Sequence, residues 1–80
     1  MTTEKLKQET EKWLKKAKEK RQKIKLLDKS KHDMIKNIDA YISDTNHFMK
    51  KGDMVRSFEA IVWAWSWIEI LEQLKIIEIG

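Results

Sequence analysis

An all-α fold is predicted: an antiparallel three-helix bundle running up, down and up. Three observations point there. The 80 residues contain no proline and only two glycines, Gly52 and Gly80, so the turn residues an all-β chain needs are missing. Apolar residues recur at spacings of three and four along most of the chain, the period of one helix face. Lys, Glu, Ile and Leu dominate the composition, as in helical bundles. At this length the chain is one domain, 1–80, with little core to spare.

Helix one is expected over about residues 3–27. Leu6, Thr10, Trp13, Ala17, Lys20, Ile24 and Leu27 share one stripe, flanked by Leu14 and Arg21. Most of them are apolar, so the stripe is the buried face and Trp13 belongs to the core. Thr2 or Thr3 caps the start, and Glu4 suits the positive end of the helix dipole. The rest of the surface is lysine and glutamate.

Helix two is expected over about 31–51. Met34, Ile35, Ile38, Tyr41, Ile42, Thr45, Phe48 and Met49 face inward, while Asp33, Lys36, Asn37, Asp44 and Lys50 face outward. Ser30 with Asp33 three residues on resembles a capping box. The four-three stripe crosses residues 28–31 without losing phase, so a single helix about 70 Å long is the alternative. Helix three could cover only half of such a rod. A break at Asp28–Ser30 lets all three stripes meet.

Lys50 and Lys51 suit a helix end, Gly52 is the natural residue just past it, and Asp53 caps the next helix. Helix three is expected over about 54–78. It carries three of the four tryptophans and is apolar on two sides. Met54, Phe58, Ile61, Trp65 and Ile68 line one side; Trp63, Trp67, Ile70, Leu74 and Ile77 line nearly the opposite one. A helix apolar on two sides is central in its fold or meets a partner. The second side, Trp63, Trp67, Ile70, Leu74 and Ile77, is therefore the candidate interaction surface, for a homodimer or an unidentified protein partner.

The net charge of +4 hides an asymmetry. Residues 1–31 hold twelve Lys/Arg and five acids, a balance of +7; residues 32–80 hold five and eight, a balance of −3. Helix one therefore raises nucleic-acid binding as an alternative function. Lys5, Lys12, Lys16 and Lys23 form one exposed row, and Lys7, Lys18, Arg21 and Lys25 another. Glu4, Glu9, Glu11 and Glu19 interrupt the field, and no recognition helix or phosphate loop is present. A solvated helix face accounts for most of this charge.

Catalysis finds little to work with. Asp44 and His47 have ligand spacing, and Glu59 or Asp53 could add a third donor. The paired Glu-x-x-His motifs of bundle metal sites are absent, so no metal or other cofactor is expected. His32 sits beside Asp33, but Ser30 reads as a cap rather than a nucleophile. No enzyme activity is expected. A polar patch of Asp44, Asp53 and Arg56 beside the Gly52 turn is the remaining candidate, because element ends carry function more often than cores.

There is no cysteine, hence no disulfide or thiolate metal site. The longest charge-free apolar run, Ala60 to Ile68, is well short of the roughly 20 residues that span a membrane. No secretory signal is visible. The chain reads as a soluble cytoplasmic protein.

Tyr41 with Asp44 and Phe48, Gly52-Asp53, Arg56-Ser57-Phe58, Ala60-Ile61, Trp63-Ala64 and Trp67-Ile68 form a pattern across the second and third helices. Over this half, the chain resembles a small archaeal family of unknown function, number 357. Thr45 and Ser57 stand where that pattern has alanine, and Glu69 where it has aspartate. The resemblance implies a three-helix bundle and an archaeal cytoplasm. It carries no activity, and so no catalytic residue.

Overall fold

Helix periodicity ends where alternation begins, and that decides where the first and third helices stop. A computed structural model describes residues 2–80. Helix α1 spans Thr3–Gln22, α2 His32–Lys50 and α3 Met54–Gln73. Two short strands, β1 (Ile24–Leu26) and β2 (Ile77–Ile79), form an antiparallel ribbon at one end. The all-α bundle is confirmed, with this ribbon as an addition.

The ribbon corrects two expected boundaries. Helix one stops at Gln22 rather than near 27, and helix three at Gln73 rather than near 78. Ile-Lys-Leu and Ile-Glu-Ile alternate apolar and charged residues, the period of a strand. Ile24 pairs with Ile79, Lys25 with Glu78 and Leu26 with Ile77. The charged pair shares one face, and the apolar pairs share the other, against the core. Leu27 N donates to Ile76 O at 2.8 Å, and Gly80 N to Lys23 O at 3.1 Å, extending the ladder at both ends.

Helices α2 and α3 end in the same backbone motif. Asp53 N donates to Phe48 O at 2.9 Å and Gly52 N to Met49 O at 3.1 Å; Ile76 N donates to Leu71 O at 2.9 Å and Lys75 N to Glu72 O at 3.1 Å. Both are Schellman closures around a left-handed residue. Gly52 has φ 79°, and Lys75 has φ 58°. Glycine takes that conformation freely, whereas lysine is strained in it. Lys75→Gly is therefore expected to raise stability by about 0.5–1 kcal/mol, read from urea unfolding. No gain would mean that Lys75 makes a compensating contact.

The chain does break between helices one and two. Asp28 accepts from Ser30 N at 3.0 Å and Ser30 Oγ at 2.6 Å, starting a 3-10 turn at Lys29–Lys31 that leads into α2. These bonds, the hydroxyl's first, hold the Asp28 carboxyl below its ordinary pKa. Ser30 thus serves Asp28 instead of forming the expected capping box, and α2 starts without a side-chain cap. The other caps fall as expected: Thr2 accepts from Lys5 N at 3.2 Å, and Asp53 from Arg56 N at 3.1 Å.

The core has two parts. Near the ribbon, Ile35, Ile38, Ile68, Leu71, Ile76 and Ile77 pack together. Along α1, Leu14 and Ala17 pack on Ile61 and Ala64. The buried face of α1 is thus centred on Thr10, Leu14 and Ala17. Trp13 sits at its edge, 37% exposed, a rotation away from the expected stripe. Arg21 on the opposite edge bonds Asp39 of α2 at 2.6 Å, which raises its pKa further. Thr45 and Ser57, the two departures from alanine, are fully buried. Thr45 Oγ1 donates back to Tyr41 O, whereas Ser57 Oγ donates across to Thr45 O, each at 2.7 Å, tying α3 to α2.

Candidate functional site

Helix α3 touches both sister helices and turns a third side outward. Its buried residues are Met54, Ser57, Ala60, Ile61, Ala64, Ile68 and Leu71. They are mostly small or aliphatic, so α1 and α2 approach closely and the bulky indoles are displaced to the flanks. Trp65 lies on the α1 flank. Trp63 lies on the α2 flank.

The expected interaction surface divides. Trp63 is 56% exposed, Ile70 46% and Leu74 63%. Trp67, between them on the same stripe, is half-buried and packs on the ribbon-end core. Ile77 does not join them. It is 2% exposed and belongs to β2. The left-handed turn at Lys75 takes it off the helix and points it inward. Val55 and Val62, also exposed, were missed by the sequence reading. They lie on the outermost line of α3, one heptad apart, a spacing that could have revealed them.

On the α2 flank, Tyr41, Asp44, Phe48, Arg56, Glu59, Ala60 and Trp63 line a shallow groove. Tyr41 and Trp63 stack with ring centroids 6.1 Å apart and planes at 19°. The Arg56 guanidinium lies 5.8 Å from the Phe48 ring centre and 3.5 Å from Asp53. Two of the expected polar-patch residues, Asp44 and Arg56, thus share one groove, and Asp53 holds Arg56 at its end. Ala60 is the one buried residue of this lining.

On the α1 flank, Trp13, Phe58, Ile61, Val62, Trp65, Ser66 and Glu69 line a second groove. Trp13 and Trp65 meet edge to face at 5.7 Å and 84°, and Trp65 Nε1 donates to Trp13 O at 3.1 Å. The ammoniums of Lys12 and Lys16 lie 5.7 and 4.9 Å from the Trp13 centroid, and that of Lys20 lies 5.9 Å from Trp65. Lys5, Lys12, Lys16 and Lys23 are all exposed, and of these Lys12 and Lys16 border this groove. Lys12, Lys16 and Lys20 therefore stand beside the apolar surface of α3.

His47 meets Phe48 edge to face at 5.5 Å. Among the described residues, no three His, Asp or Glu side chains converge as metal ligands. No described helix is long and apolar enough to cross a membrane.

Residues 8–77 match a family model described as "Protein of unknown function (DUF357)". A crystal structure of protein AF1782 from Archaeoglobus fulgidus, assigned to the same family, superposes with a TM-score of 0.86. It is 41% identical, with 98% of this chain and 97% of that chain covered. Among curated proteins none matches the sequence.

Proposed function

We infer that this chain, which belongs to the DUF357 family of proteins of unknown function, works by contact rather than by chemistry, associating with itself through the exposed stripe of α3. The supporting observation is the outward exposure of Trp63, Ile70 and Leu74 beside Trp67 on one stripe of a helix already packed on two neighbours. Leaving such residues in water forgoes about 25 cal/mol for each Å² of apolar surface that a partner would cover. Exposed apolar patches on small domains mark contact surfaces.

Light scattering of the wild type is expected to give the mass of a dimer. Ile70→Lys combined with Leu74→Lys is expected to give a monomer with unchanged helicity by circular dichroism. Both positions are exposed, so the fold tolerates the change. A wild type that stays monomeric at high concentration refutes the reading.

The lysine row of α1 supports nucleic-acid binding as a second reading. Titrating the same protein with RNA and DNA at low ionic strength tests it. No complex under those conditions removes it, because such binding is strongest at low salt.

A further inference from the structure

The outward side of α3 is bordered by opposite charges. On its α1 border stand Lys12, Lys16 and Lys20, held over the Trp13 and Trp65 rings. On its α2 border stand Asp44 and Glu59, in the groove they share with the stacked Tyr41 and Trp63. Among the described residues, neither carboxylate forms an ion pair. The same polarity runs through the whole chain, +7 over residues 1–31 and −3 over 32–80.

We propose that a second copy of this chain covers this side, related by a two-fold axis running along α3, so that the lysine row of each α1 lies over the Asp44–Glu59 groove of the other copy. The proposal rests on the self-association reading and adds its geometry. A two-fold interface must be complementary to itself. Turning a copy about an axis parallel to α3 exchanges its two borders, so α1 meets the partner's α2 and the α3 helices run parallel. Turning it about an axis across α3 keeps the borders in place and sets lysines against lysines. Like charges juxtaposed across an interface are costly. The groove suits an ammonium on a second ground. Its rings offer π faces to a cation, as Phe48 already does to Arg56 at 5.8 Å. The lysine stems meanwhile cover apolar surface.

Charge reversal on the full chain tests the arrangement, with sedimentation equilibrium as the readout. Lys12→Glu with Lys16→Glu is expected to weaken the dimer about tenfold or more, and Asp44→Lys with Glu59→Lys likewise. Mixing the two variants is expected to restore a dimer, since both interfaces of the mixed pair then carry opposite charges. All four positions are exposed, and circular dichroism reports whether each variant folds. Helix direction has its own test, because the chain lacks cysteine. Val55 and Gln73 lie five full turns apart on the outer line of α3. Val55→Cys and Gln73→Cys should each give a disulfide-linked dimer on oxidation. In an antiparallel pair centred on α3 the two copies of either residue would be roughly 27 Å apart, beyond the roughly 7 Å between Cα atoms that a disulfide can bridge.

A monomeric wild type overturns this proposal together with the self-association reading, leaving the face to a different protein. A wild-type dimer that ignores the charge reversals, is not restored by mixing, or cross-links at neither cysteine overturns the arrangement alone.

Discussion

Ile77→Ala is expected to cost about 2–5 kcal/mol, the range for truncating a buried isoleucine. Ile77 is 2% exposed and packs with Ile35, Ile38, Ile68, Leu71 and Ile76. Its backbone is paired with Leu26 in the ribbon, so the surrounding structure has little freedom to close the gap. For a chain of this size the melting temperature should fall by at least about 8 °C. Leu74→Ala is the control. Only three residues earlier and 63% exposed, it should change stability by no more than about 0.5 kcal/mol when measured at a dilution that holds the chain monomeric. If helix three continued to residue 78, the two residues would lie on the same face and the two substitutions would cost the same. Equal costs would therefore remove the ribbon.

Trp65→Ala is expected to cost about 2–4 kcal/mol, somewhat less than for a fully buried tryptophan because the residue is only partly buried. The buried residues of α1 are Thr10, Leu14 and Ala17, and two of these are small. Its hold on α3 depends on Leu14 and on the edge-to-face contact between Trp13 and Trp65. The Trp65 indole also donates to Trp13 O across the helix pair. Most helical stability in proteins comes from tertiary packing, so α1 should lose helicity when the contact goes. Trp65→Phe separates the contributions. It keeps an aromatic ring and drops the donor, at a cost of about 1 kcal/mol. Circular dichroism and urea unfolding together read both effects. A Trp65→Ala variant as stable as the wild type would mean that α1 is held by other contacts.

Much of the candidate surface was legible from spacing. Trp63, Ile70 and Leu74 lie where a helix of period 3.6 puts them, and the structure leaves all three exposed. Trp67 is on the same stripe, but it leans back onto the ribbon-end core, which a wheel drawn for one helix does not contain. Trp13 looked like core for a similar reason. Its stripe and the neighbouring Leu14 stripe are both compatible with one helix, and only the position of α3 selects Leu14. The Tyr41–Trp63 groove joins residues more than twenty positions apart, so it exists only once α2 and α3 are paired.

Three helical stripes and the turn at Gly52 were determined by the sequence itself, because periodicity, capping and glycine act over a few residues. The stripe runs through Asp28–Ser30 in phase, so the break there was selected only by the packing of all three stripes in one core. The ribbon was decided by tertiary structure. Each strand has three residues, too few for its alternation to outweigh the helical spacing that runs into it, and each becomes stable only by pairing with a segment some fifty residues away. The turn that frees β2 uses a left-handed lysine at Lys75, where local preference would call for glycine. Packing supplied the difference: by leaving the helix there, the chain buries Ile76 and Ile77 in the core.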